Sequence, residues 1–410
     1  MNRRYIYFFV LLSVFLLANI VEGYTQGTDE PKLKIGGYIQ TQWQYGEEDS
    51  KPSVGKYTNG NESISRFGIR RGRVKFSYDE DFGKAVIQLD ATEKSIGVKD
   101  AYLELMYPPF KWISFRAGIF DRPFGYEIRY SSSLRETPER SAVFQTLFPQ
   151  ERDLGGMVTF QAPKNHALHS LLKLEVGLFS GNGIKTDSDN KKDFIGRVSS
   201  EKIFGNQFKL SGGFSTYLGK VKTVNDTTFH YTSNGFEIDN RYSADDYLNR
   251  QYFGVDAQAE YSYLLGTTVI RGEYLFGKQP GLINNSKSPN SDELPDISTK
   301  YYLRDFNGAS VYLVHRFGQD KNPIHAVVLR YDFYNPNTKV SQNEVGKKAN
   351  TSSADLATST FTFGYILSPH KQIRIMAACE IRNNETSEHI GKYKSNLKDN
   401  LFTLRIQYKF

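Results

Sequence analysis

Leu401-Phe402-Thr403-Leu404-Arg405-Ile406-Gln407-Tyr408-Lys409-Phe410 is the stretch on which the fold turns. Phe402, Leu404, Ile406, Tyr408 and Phe410 share one parity, and Thr403, Arg405, Gln407 and Lys409 share the other. Side chains alternate across a strand, so this segment presents an apolar face and a polar, cationic face. Upstream, Val327, Leu329, Tyr331 and Phe333 oppose Val328, Arg330 and Asp332, and Ile373, Ile375 and Ala377 oppose Gln372, Arg374 and Met376. A soluble sandwich and a membrane barrel both produce such alternation, so the choice rests on the remainder of the chain.

Composition favours the barrel. Hydrophobic residues are 39% of the 410, below the roughly 45–50% of globular chains, yet aromatics reach 14% through 29 Phe and 27 Tyr. A barrel needs one apolar residue in two, and it concentrates aromatics at the two bilayer interfaces. Residues 1–23 have the layout of a cleavable secretory signal: Arg3 and Arg4, an apolar run from Tyr5 to Leu17, then Val21-Glu22-Gly23. Its loss removes two arginines and one glutamate, which leaves a formal charge of about +6 and only a weak pull on anionic partners. No later run is long and apolar enough for a spanning helix. The single cysteine, Cys379, excludes an internal disulfide and is expected to be a small wall residue. No propeller-type repeat is present. With the phenylalanine at 410, the final strand resembles the signal by which bacterial outer-membrane barrels are recognised for assembly, so the barrel-assembly machinery is an expected partner alongside the outer-membrane bilayer.

From Leu33 onward the alternation comes in stretches separated by Gly/Asn/Asp/Ser/Lys-rich breaks. Strands are expected to begin near Leu33, Gly68, Lys84, Val98, Trp112, Leu154, Leu171, Asp193, Phe208, Tyr252, Thr267, Asn307, Pro323, Ala357, Lys371 and Asn400. The expectation is an all-β transmembrane antiparallel barrel of about sixteen strands over 24–410. Long connections fall at 47–65, 121–153, 220–250, 278–301, 335–355 and 383–399.

Parity sorts the charges, with apolar residues toward lipid and polar ones toward the lumen. In Arg66-Phe67-Gly68-Ile69-Arg70-Arg71-Gly72-Arg73-Val74-Lys75, the residues Arg71, Arg73 and Lys75 lie opposite Val74, Phe76 and Tyr78 and should point into the lumen. A lipid-facing arginine at midplane costs roughly 2–4 kcal/mol. Arg70 has the other parity, which places it at an interface or a local bulge. Arg116, Arg197, Arg271, Arg330, Arg374 and Arg405 extend the cationic lining, which would draw anions. The alternative is that they only pair across strands with Asp90, Asp100, Glu273, Asp332 and Glu380.

Within segment 121–153, residues 121–152 carry five arginines (122, 129, 135, 140, 152) and five acids (121, 127, 136, 139, 151). Such a balanced loop can fold on itself through ion pairs, as an internal constriction would. Its expected members are Arg122, Pro123, Phe124, Gly125, Arg129, Arg135, Glu139 and Arg152.

Phe67-Gly68-Ile69-Arg70-Arg71-Gly72-Arg73, Lys99-Asp100-Ala101-Tyr102-Leu103-Glu104, Pro123-Phe124-Gly125, Glu139-Arg140-Ser141 and Arg152-Asp153-Leu154-Gly155 resemble the phosphate-selective porin O/P family, most densely over 33–160. The resemblance implies a sixteen-stranded, usually trimeric porin of the bacterial outer membrane, with an inward-folded third loop and an arginine-lined anion path. Arg70 and Arg71 match the family's paired strand arginines, and Arg140 lies in its inward loop. The family's lysine clusters at the mouth have no counterpart motif here. The expected path joins Arg70, Arg71, Arg73, Lys75, Arg116, Arg140, Arg330, Arg374 and Arg405, with small anionic solutes as cargo. No cofactor, metal or nucleic-acid partner is expected, and the seven histidines form no His-Glu-x-x-His. His166 and His169 sit near a turn, and His315 and His325 should face each other across a hairpin. A non-conducting barrel that anchors a secretion apparatus or a surface partner is the alternative, and a barrel enzyme is more distant.

Overall fold

The computed structural model describes residues 32–56, 62–205, 207–289, 298–318 and 323–410, so the leader expected over 1–23 lies outside it. Strands dominate. The first nine are β1 (Lys32–Gly46), β2 (Ile64–Asp79), β3 (Gly83–Ala91), β4 (Ile96–Met106), β5 (Ile113–Asp121), β6 (Arg152–Gln161), β7 (Lys173–Phe179), β8 (Asp193–Phe204) and β9 (Phe208–Lys222). After a short hairpin, β10 (Thr228–Thr232) and β11 (Gly235–Ile238), come β12 (Tyr247–Tyr263), β13 (Gly266–Gly281), β14 (Tyr301–Phe317), β15 (His325–Asn335), β16 (Thr358–His370), β17 (Ile373–Asn384) and β18 (Leu401–Lys409). A six-residue helix, α1 (Ala142–Leu147), lies between β5 and β6.

Each wall strand runs antiparallel to the next, β9 pairs with β12 past the hairpin, and β1 pairs with both β2 and β18. Sixteen strands therefore close on themselves, and no wall edge is left to bind another chain. Phe410 lies at the seam, exchanging two 3.0 Å backbone hydrogen bonds with Gly37. Both ends of the described chain sit at the short-turn end, which in such barrels faces the periplasm, while the long loops face outward.

All sixteen expected wall strands are present. β12 and β14 begin five or six residues earlier than alternation suggests, at Tyr247 and Tyr301. At these upper ends the outward positions are held by Asn249, Gln251 and Asp305, so the apolar parity lapses. The hairpin β10–β11 was not foreseen, being only five and four residues long. Outward Val311, Leu313, Leu329, Tyr331, Ile406 and Tyr408 are exposed, whereas inward Tyr312, Arg330, Asp332 and Arg405 are buried. Cys379 is exposed on the outer face.

Three expectations need correction. His315 faces Val327 in the register, not His325; it contacts Thr268, and His325 contacts Tyr365. The inner wall is also not uniformly polar. Val269, Val314, Val328, Ala326, Ile366, Met376 and Ala378 are buried on inward positions of β13–β17, because loop and neighbouring side chains cover them. Third, segment 121–153 folds mainly onto the wall rather than on itself, as described next.

Candidate permeation path

The loop between β5 and β6 is tied at its neck. Arg122 pairs with Asp153 at 2.9 Å, both fully buried, and donates to the Gln150 carbonyl at 2.7 Å. After Pro123 the chain turns inward at Gly125, whose φ of +64° and a site only 2.1 Å from the Glu273 carboxylate leave no place for a Cβ. The N–H groups of Tyr126 and Glu127 both donate to Glu273 at 3.0 Å. Glu273 thus accepts loop backbone and forms none of the arginine pairs foreseen for it.

Beyond the turn, the loop presses an apolar face against one arc of the wall. Phe124, Ile128, Val143, Phe144, Leu147 and Phe148 pack with inward Phe120, Met157, Phe179, Ile195, Tyr217, Tyr252, Leu275, Phe306 and Tyr334. Each large side chain withdrawn from water contributes about 1.5–3 kcal/mol. Gly308 on β14 permits the close approach, since a Cβ there would lie 2.8 Å from Val143. The Ala142 N–H, at the helix start, donates to Asp332 at 2.9 Å. The β6–β15 side of the bore is filled in this way.

The loop tip is fastened to the opposite arc by charge. Glu139 accepts two 2.7 Å bonds from Arg70, with further bonds from Arg71 at 3.0 Å and Arg405 at 3.1 Å. Arg70 and Arg71 are neighbours in sequence, yet both point inward. The register slips between Gln40 and Thr41, which leaves Arg70 as an extra residue on β2 and reverses the parity beyond it. The same device recurs on β4. The slip between Gln88 and Leu89 leaves Lys99 unopposed, so Lys99 and Asp100 both face inward, Lys99 to Glu151 at 2.7 Å and Asp100 to Arg152 at 2.9 Å.

The other expected residues are placed as follows. Arg73 holds Asp90 at 2.9 Å and donates to Tyr38 and to Ser132 of the loop. Arg140 pairs with Glu151, and Arg116 with Glu104 at 2.7 Å. Arg330 binds Asp332 at 2.9 Å, Glu380 at 3.3 Å and the Glu139 carbonyl at 2.7 Å. Arg374 and Arg405 donate to the loop carbonyls of Ser133 and Pro138. Arg129 reaches Glu175 and Asp121. Arg135 is buried without a hydrogen-bond partner among the described residues. Most of the arginines therefore anchor the loop, and the expectation of simple cross-strand pairing holds for Arg73 with Asp90 and Arg330 with Glu380.

Between the tip and β1–β5, a chamber of about 500 Å³ remains. Its lining carries Lys34, Arg73, Lys75, Arg129, Arg140, Arg152 and Lys409, against the carboxylates of Asp100 and Asp121. Lys75 and Lys409 form no ion pair among the described residues. Lys99, Lys409 and Ser132 were missed as site residues. Lys409 shares the polar parity of Arg405 and was legible, whereas Lys99 depends on the bulge. At the long-loop end, β10–β11 packs on β14 through Phe229, Phe236 and Tyr302. There the ammonium of Lys392 holds Asp49 below its ordinary carboxylate range, and Arg241 does the same for Asp239. His166 and His169 lie at the turn after β6, where His166 meets the Trp112 ring edge-on.

The sequence profile of phosphate-selective porin O and P matches residues 53–288. The chain belongs to that family. The match runs through β13, well past the motif-rich span ending at 160, so the phosphate-selective porin O and P signature includes strands that looked generic. The fold is shared with solved porins of low identity. An anion-selective porin from Comamonas acidovorans aligns at 12% identity over 93% of this chain and all of its own, with a TM-score of 0.56. The outer membrane channel DcaP of Acinetobacter baumannii aligns at 13% identity over 94% of this chain and 99% of its own, also at 0.56. Salmonella typhi OmpF aligns at 12% identity over 93% and 98%, again at 0.56. Among curated sequences no relative matches. The family and the barrel fold point to a channel of the bacterial outer membrane rather than to an enzyme.

Proposed function

We propose that this porin gives passive, diffusion-driven passage to small hydrophilic anions, phosphate or related oxyanions among them, along the β1–β5 side of its bore. One observation carries the reading: seven cationic and two acidic side chains line the chamber beside the loop tip. In a narrow, low-dielectric bore that imbalance raises the local anion concentration and opposes cations. Arg73, Arg140 and Arg152 are partly neutralised by Asp90, Glu151 and Asp100, so Lys75 and Lys409 supply the unpaired charge.

Planar-bilayer recording under a salt gradient tests the proposal. Discrete conductance steps with an anion-selective reversal potential are expected. The Lys75→Glu/Lys409→Glu double variant should move that potential toward cation preference; an unchanged potential would mean that these residues do not line the path. Arg71 and Arg73 are poorer probes, because both also fasten the loop. A second reading draws on the filled β6–β15 side: a non-conducting barrel that anchors a secretion apparatus or surface partner. A silent bilayer would favour it.

The family resemblance also supports a homotrimer joined through the outer wall, which native mass spectrometry of the detergent-extracted protein would test. Phe410 at the seam fits an assembly signal read by the barrel-assembly machinery. Removing Phe410 should lower the outer-membrane yield without changing the conductance of the molecules that do insert.

A further inference from the structure

Across the loop tip lies a second chamber, of about 460 Å³, between the tip and the short-turn ends of β14–β18. Its wall departs from the polar-inward pattern. Ala326, Ile366, Met376 and Ala378 occupy inward positions of β15–β17 and pack as one apolar cluster, and Ala326 and Ile366 line the chamber. Opposite them Leu134, 52% exposed, lines it from the loop. The cluster is itself covered, so the exposed side chain of Leu134 is the apolar surface left wet here; it forgoes about 25 cal/mol per Å², which a ligand with an apolar body recovers. The rim is cationic. Arg374 spends one N–H on the Ser133 carbonyl at 3.0 Å and, like Lys371, forms no ion pair among the described residues. Among the described residues the lining carries one carboxylate, Glu136, already held by Arg271 at 2.5 Å and Arg316 at 3.2 Å.

We propose that this chamber binds a small organic carboxylate with an apolar body, such as an aryl or short aliphatic acid, its charge on Arg374 and Lys371 and its body on Leu134. Inorganic oxyanions lack the apolar part and suit the other chamber. Tyr130 and Lys409 line both chambers, so an occupant here places a negative charge beside the permeation path and reduces its anion current. The site requires only that the short-turn end be open to water; it does not require that the first chamber select anions.

Equilibrium dialysis of labelled benzoate against the purified full-length barrel in detergent, with acetate and inorganic phosphate as comparators, tests the site. Benzoate should bind about tenfold more tightly than acetate, and Lys371→Gln should weaken benzoate about tenfold through loss of one charge-assisted contact. Lys371 holds no loop residue, so this variant leaves the loop docked. Leu134→Ser should weaken benzoate and leave acetate unchanged. Lys75→Gln, in the other chamber, should not affect benzoate. Equal binding of benzoate and acetate, parent-like benzoate binding by both Lys371→Gln and Leu134→Ser, or loss of benzoate binding in Lys75→Gln would overturn the proposal. The reversal potential of the same preparation tests anion selectivity separately, so the two readings can fail independently.

Discussion

The two arcs of the bore hold the same loop by different physics. Along β6–β15 the contact is a dry cluster centred on Phe124, Phe144 and Phe148, and along β1–β5 and β15–β18 it is a set of ion pairs converging on Glu139 and Glu151. Apolar burial is non-directional and excludes water, so the first arc can carry no hydrated solute. The charge pairs at the second arc are largely buried too, but they leave an open, charged chamber beside them. Packing therefore decides where the bore is filled, and charge decides what the remainder admits.

The sharpest way to break this division is Phe144→Ala. Emptying a fully buried position in the cluster should cost about 3–5 kcal/mol, measured as a fall in the thermal unfolding transition in detergent, with conductance rising as the loop loosens. If unfolding is unchanged, the ion pairs alone hold the loop. Glu139→Gln should cost about 3 kcal/mol, the low end for a broken buried pair, because the carboxylate retains some solvent. It leaves Arg70, Arg71 and Arg405 without their shared acid, so the anion-to-cation permeability ratio should rise. Lys75→Glu should alter stability by under about 0.5 kcal/mol while shifting the reversal potential, which separates filtering from fastening. Cys379→Ser should be smaller still. Before that change, a membrane-permeant maleimide should label Cys379 in vesicles and a charged, impermeant one should not; the reverse would place β17 in the wrong register.

Sixteen strands were legible because lipid enforces alternation wherever a strand crosses it, as in Phe402–Phe410 or Val327–Phe333. Where lipid stops, legibility stops, as at Tyr247 and Tyr301 and in the hairpin β10–β11. The charged site was half legible. Arg71, Arg73, Lys75 and Arg405 followed parity, and Arg70 was marked out by violating it. Lys99 was hidden, since a bulge depends on how two strands meet and leaves no mark in either alone. The partners of Glu139 were also hidden: they come from β2 and β18, which are joined only in three dimensions. The apolar inner wall at Ile366 and Met376 escaped because alternation reports which side faces lipid, and says nothing of what the other side faces.

Glu139 also bears on the order of folding. Its carboxylate grips β2 on one side of β1 and β18 on the other, so it spans the seam from within. That seam pairs residues as far apart as Gln40 and Gln407, 367 positions along the chain, and such non-local closure is slow because its entropy is lost before any contact rewards it. The grip cannot form until both strands are in register, and the register is not secured until the grip forms. Loop docking and wall closure should then appear as a single kinetic phase, with Glu139 as a latch that sets how long a closed barrel stays closed.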